Sequence, residues 1–117
     1  DRAGIISHHT ALALHSLSDL LPGKVHLTLP LLWRKRRFRV PPGIVLHYAD
    51  VPPEEQTWIG SEPITNPKRT LNDCADAALS PDLLRQAAQQ AIRRGLVKRD
   101  EIEPVSEALK PFGGIDV

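Results

Sequence analysis

The sequence predicts an α+β fold, a small mixed or antiparallel sheet of about four strands packed against three to four helices. Three observations carry this. Val25-His26-Leu27-Thr28-Leu29 and Ile44-Val45-Leu46-His47-Tyr48 are short segments rich in β-branched and aliphatic residues and bounded by breakers, as half-buried strands are. Glu62 to Ala78 reads as strand end, tight connector and helix start. Beyond Pro81 the apolar residues recur at helical spacing.

Taken in order, Ser7 is placed to cap a helix over 8–17 that carries Ala11, Leu12, Leu14, His15 and Leu17 on its apolar side. Asp19-Leu20-Leu21-Pro22-Gly23 is a loop by its breakers. In the strand that follows, Val25, Leu27 and Leu29 share one face and His26 and Thr28 the other, and Pro30 closes it. A basic run from Trp33 to Val40 leads through Pro41-Pro42-Gly43 into the strand at Ile44 to Tyr48. Residues 50–57 are acidic and proline-rich, Trp58-Ile59 is a brief strand before Gly60, and Pro63-Ile64-Thr65 completes the sheet.

The next residues form a structural motif: Thr65, Asn66, Pro67, Arg69 and Asp73. Proline keeps the residue before it out of the α region, and its own φ suits the first helical position, so Asn66 or Thr65 can cap the amides that follow. Leu71, Cys74, Ala75 and Ala78 then make a stripe that is expected to pack on the sheet. Arg69 and Asp73 lie four apart on another face. A cation in the first helical turn opposes the helix dipole, so Arg69 is predicted to be partly buried and held by Asp73 and by the strand ends around Thr65. Ser80-Pro81-Asp82 starts another helix with Leu83, Leu84, Ala87, Ala88, Ala91 and Ile92 along one face, and Gly95 ends it. Residues 98–109 suggest a last helix interrupted by Pro104, and 111–117 read as a tail.

A chain of 117 residues with 41% hydrophobic and 25% charged residues and a net charge of +1 reads as one domain over 1–117 with a single core. No apolar run approaches the roughly 18 residues of a membrane span, and the polar start at Asp1-Arg2-Ala3-Gly4 does not resemble a leader, so a cytoplasmic site is expected. Cys74 has no second cysteine to pair with and sits on the apolar face of its helix as a packed small residue. The sequence contains no methionine, which suggests a piece of a longer chain.

Charge is segregated more than the net value reveals. From Lys24 to Tyr48 there are six basic residues and no acid, whereas Asp50, Glu54, Glu55 and Glu62 follow with no base until Lys68. Arg34, Lys35, Arg36, Arg37 and Arg39 stand with Trp33 and Phe38, a composition suited to phosphate contacts with aromatic support, or to an acidic protein partner. If the run is a strand, Lys35, Arg37 and Arg39 point to one face and Arg34 and Arg36 to the other. The competing reading is a solvated loop or edge strand whose charges prevent edge-to-edge association. Arg93-Arg94 with Lys98-Arg99 sits at a helix C-terminus, where the dipole favours cations in any case.

His8, His9, His15, His26 and His47 match no metal-ligand spacing, and each reads as a lone hydrogen-bonded residue on a helix or strand, so neither metal nor cofactor is expected. No nucleophile elbow, phosphate-cradling glycine loop or paired carboxylates appear, and Asp73 and Asp76 read as a solvated face paired to Arg69, so the chain reads as no enzyme.

Four blocks carry a resemblance: Ser7-His8-His9-Thr10-Ala11-Leu12-Ala13-Leu14-His15 with Leu17-Ser18-Asp19; His26-Leu27-Thr28-Leu29-Pro30; Pro42-Gly43-Ile44-Val45-Leu46-His47-Tyr48-Ala49-Asp50-Val51; and Pro63-Ile64-Thr65-Asn66-Pro67-Lys68-Arg69-Thr70-Leu71-Asn72-Asp73. In order and spacing they resemble the C-terminal region of AbiEi-type antitoxins of type IV toxin-antitoxin systems, from about Gly4 to Val97. The resemblance implies a bacterial antitoxin and transcriptional repressor. In that family an N-terminal winged helix-turn-helix reads operator DNA, and the C-terminal domain counters a nucleotidyltransferase-like toxin, directly or indirectly. The winged-helix segment does not precede Gly4 here, so the expected role is antitoxicity or support of DNA binding. The alternatives are a stand-alone nucleic-acid-binding module using residues 34–39, or a nuclease-like enzyme.

Overall fold

The computed structural model describes residues 4–18, 23–37 and 39–116. The sequence expectations for the 19–22 loop and for Phe38 lie outside them. Among the described residues the fold is α+β, a five-stranded mixed sheet with four α-helices. The strands are β1 (Ile5–Ile6), β2 (Val25–Leu29), β3 (Ile44–Tyr48), β4 (Gln56–Ile59) and β5 (Glu62–Thr65), in the order β3-β2-β1-β5-β4. The helices are α1 (His8–Leu14), α2 (Pro67–Asp76), α3 (Pro81–Arg93) and α4 (Glu103–Leu109).

The strand that sequence reading missed is β1, and it lies at the centre of the sheet. It pairs antiparallel with β2 through Ile5 and Ile6 and parallel with β5 through Ile6 and Ile64. Two residues carry no detectable periodicity, so only these non-local hydrogen bonds define the element. β2 and β3 run parallel, with Leu27 opposite Leu46 and Thr28 opposite His47. Parallel neighbours need a long crossover. Here the crossover is the basic segment, which is a turn and loop and not an edge strand. Pro30 opens a short 3-10 turn, Leu31–Lys35, closed by Trp33 N–H to the Pro30 carbonyl at 2.9 Å and Arg36 N–H to that of Trp33 at 3.0 Å. Arg34 and Lys35 therefore sit on a turn, and the two-faced distribution of the five cations does not arise.

The caps explain where the helices begin. Asn66 Oδ1 accepts the Arg69 amide at 2.8 Å with Pro67 in the first turn, and Ser80 caps α3 through the Leu83 amide with Pro81 behind it. Ser7 occupies the cap position of α1, but its hydroxyl makes no capping bond and serves the histidine cluster described below. α1 stops at Leu14 instead of 17, because Ser16 turns left-handed at φ 60° and Leu17 N–H returns to the Leu12 carbonyl. α2 ends the same way at Ala78, φ 59°, with Leu79 N–H on the Cys74 carbonyl. Pro104 lies in the first turn of α4, where its missing N–H is harmless, so it starts that helix and does not interrupt it.

The main core is helical. Leu12, Leu71, Cys74, Leu84, Ala87, Ala88, Ala91, Ile102, Val105 and Leu109 form one buried cluster with Leu17, Val97 and Ile115. The α2 stripe packs into this cluster instead of onto the sheet, and Ala78 is exposed. Thr70 is what joins α2 to the sheet, its hydroxyl 2.7 Å from that of Thr65. The segment read as a tail is docked: Ile115 is buried, Gln89 Nε2 donates to its carbonyl at 2.6 Å, and Arg85 donates to the carbonyls of Gly114 and Phe112.

Candidate functional site

The register gives β2 and β3 two unlike faces. Leu27, Leu29, Ile44 and Leu46 point to one side, and His26, Thr28 and His47 to the other. The crossover passes over the aliphatic side. Between them lies a groove of about 550 Å³ whose floor is Leu27, Leu29, Ile44 and Leu46, with Gly4 at one end. Its wall is Trp33, Val40 and Pro41, with Arg36, Arg37 and Arg39 at the rim. Arg36 lies over the Trp33 ring, 4.4 Å from the centroid. Arg34 and Lys35 are exposed and do not line the groove. The structure thus splits the basic run into an outward pair and a groove-lining trio. None of the five makes an ion pair with a described acid.

The opposite face holds four histidines, brought together from three elements. His8 and His9 open α1, His26 is on β2 and His47 on β3. His9 Nδ1 is 3.2 Å from His26 Nε2, and His26 Nδ1 is 2.9 Å from His47 Nε2. Each neutral imidazole has one donor and one acceptor, so the three rings form a directional hydrogen-bonded row. Thr28 Oγ1 donates to Ser7 Oγ at 2.7 Å, and Ser7 Oγ lies 2.8 Å from His8 Nδ1. The expectation of lone histidines is therefore overturned for these four. His15 stands apart, its Nε2 donating to the Thr65 carbonyl at 2.8 Å.

Burial, and then the charges that His47, His26, His9 and Arg69 would place nearby, hold the His8 imidazole down to about 3. Burial and then His9, His47 and Lys24 bring His26 to about 4, and burial followed by His9 lowers His47. These rings are neutral at pH 7. Among the described residues no group of three His, Cys, Asp or Glu side chains is arranged to hold a metal ion. His8, His26 and His47 act as an uncharged polar layer between α1 and the sheet. Its one sequence signal was alternation: both strands put histidine on the face opposite their leucines.

The motif at the start of α2 closes around Arg69. Its Nε donates to Asp73 Oδ1 at 2.9 Å and its Nη1 to Glu55 Oε1 at 2.8 Å, with Lys68 3.4 Å from the other Glu55 oxygen. Asp73 was expected and is half-buried, not solvated; Glu55, fourteen residues back in the acidic stretch, was not expected. Thr65 is not a partner of Arg69 but is held by Thr70 and His15. Burial raises Asp73 more than Arg69 lowers it, in keeping with an Oδ2 that is buried without a partner among the described residues. For Glu55 burial is outweighed by Arg69 and Lys68, and its carboxyl falls below its ordinary value. Cys74 is pushed up to about 12 by burial and then by Asp73, which leaves its thiol inert.

Among the described residues no helix is long and apolar enough to cross a membrane. Compared with protein-family models and with curated proteins, the chain matches none.

Proposed function

We propose that this chain is the C-terminal domain of a cytoplasmic bacterial antitoxin and transcriptional repressor of the AbiEi type. In this reading it is not an enzyme and takes no cofactor. It supports the binding of operator DNA and counters a nucleotidyltransferase-like toxin, directly or indirectly. The reading rests on the four sequence blocks together with one structural observation. Arg34, Lys35, Arg36, Arg37 and Arg39 are all exposed on a single crossover, and none is neutralised by a described acid. Unpaired cations on a turn attract polyanions at little cost to the fold.

The test is growth of cells expressing the cognate toxin together with the full-length protein, wild type or with these five residues changed to Gln. Operator affinity is measured in parallel. Loss of rescue, of affinity or of both supports the reading, and full retention of both overturns it. The same crossover favours a second reading, a stand-alone nucleic-acid-binding module. That reading requires the 117-residue chain by itself to bind duplex DNA with a steep salt dependence.

A further inference from the structure

We infer that the groove between the crossover and the aliphatic face of β2 and β3 is a docking site for an extended peptide segment of a partner protein that alternates apolar and acidic residues. This deepens the preceding proposal and rests on its reading of the crossover as a contact surface.

The floor and the rim of the groove ask for different chemistry. Leu27, Leu29, Ile44 and Leu46 offer aliphatic surface that a sugar-phosphate backbone cannot use. Trp33, the aromatic side chain in the wall, already has Arg36 over its ring, so that face is not open to a stacking base. Arg36, Arg37 and Arg39 stand where carboxylates flanking a buried apolar side chain would fall. An extended segment sends alternate side chains to opposite sides, so apolar residues reach the floor while their acidic neighbours meet the rim. β3 is also an edge strand, with β2 as its sole neighbour among the described strands. Leu32, on the turn that leads into the wall, is 88% exposed and extends the apolar surface beyond the groove. Charge complementarity and the aliphatic floor together select an acidic, apolar peptide over a nucleic acid.

Fluorescence anisotropy of the intact chain with labelled peptides tests this, with a short DNA duplex run in parallel. The first peptide alternates glutamate with leucine and the second glutamate with serine. The leucine peptide should bind about tenfold or more tightly than the serine peptide, since both carry the same charge and only one fills the floor. Changing Arg36, Arg37 and Arg39 together to Gln should weaken the leucine peptide by about tenfold. Arg34→Gln with Lys35→Gln should leave it within about twofold. All five residues are exposed, so neither variant threatens folding. Equal binding of the two peptides overturns the docking site, as does an equal loss from the outward pair. If the duplex still binds in that case, the contact-surface reading survives. Binding of neither peptide overturns the docking site whatever the duplex does, and the contact-surface reading then stands or falls on rescue and operator affinity of the full-length protein.

Discussion

The ring of His47 lies flat on that of His8, with centroids 3.5 Å apart and planes inclined by 10°. Two imidazoles at this distance cannot both carry a proton cheaply, and each protonated form repels the next along the row through His26 to His9. His8 reaches this position with φ at 53°, a left-handed conformation that histidine adopts more readily than most residues but still at some cost.

That arrangement makes stability depend on pH. The unfolded chain binds protons at these histidines below their ordinary value near 6.5, whereas His8 in the fold stays neutral down to about 3 and His26 to about 4. Folding therefore excludes protons in that window, so its contribution to stability is complete above 6.5 and is lost as pH falls towards the folded values. Stability, read as the thermal midpoint, should drop between pH 7 and pH 4.5, by on the order of 1 kcal/mol per pH unit for each excluded proton and less for His26, which is only partly buried. Asn tolerates a positive φ and does not titrate, so His8→Asn should show a shallower dependence. A flat midpoint across the range, or an unchanged slope in the variant, refutes this account.

Arg69 holds two carboxylates from different parts of the chain with one guanidinium, and its side chain is 19% exposed. Arg69→Ala leaves Glu55 and the half-buried Asp73 without their main partner, and the loss should be about 1–3 kcal/mol, or several degrees in midpoint. Arg69→Lys should recover only part of it, because a point charge cannot address both acids with the planar fork. Midpoints for both variants equal to wild type would show that the node contributes nothing.

Ala78 ends α2 in the left-handed region although it carries a Cβ, whereas Gly95 and Gly113 hold the matching positions after α3 and in the C-terminal turn. Ala78 is exposed, so its substitution disturbs no packing. Ala78→Gly should therefore stabilise the fold by about 0.5–1 kcal/mol, with strain relief exceeding the added entropy of the unfolded chain. A lower urea midpoint would mean that the strain lies elsewhere.

Local chemistry made much of the fold legible. Asn66-Pro67 and Ser80-Pro81 mark helix starts because cap and proline act within a few residues, and β2 and β3 are readable because their apolar residues are adjacent in sequence. What failed was whatever depended on pairing at a distance. β1 exists through partners on β2 and β5. The histidine cluster joins residues separated by 17 and 21 positions, and it required the parallel register of β2 with β3. That same pairing turned the basic run into a crossover, since parallel strands cannot be joined by a tight turn.

The crossover leads to the last prediction, which separates the two cation sets by their response to salt. Each phosphate neutralised on duplex DNA contributes about 0.9 to the slope of log affinity against log salt. Changing all five cations to Gln in the full-length protein should lower that slope by about two to three units, because five side chains on a bent segment do not all reach one duplex. The outward pair should account for most of the loss: Arg34 and Lys35 project from the turn, while Arg36 is held over Trp33 and Arg37 and Arg39 line the groove. Arg34→Gln with Lys35→Gln alone should then remove more than one unit while operator preference stays the same, since phosphate contacts carry no base information. If the trio removes more slope than the pair, the arginines at the groove rim are spent on phosphate, and the division of labour drawn from the groove is wrong. If the slope is untouched while rescue from the toxin fails, the crossover contacts protein alone. If neither changes, the five cations are a solvated surface whose charge only keeps the neighbouring edge strand from pairing with another molecule.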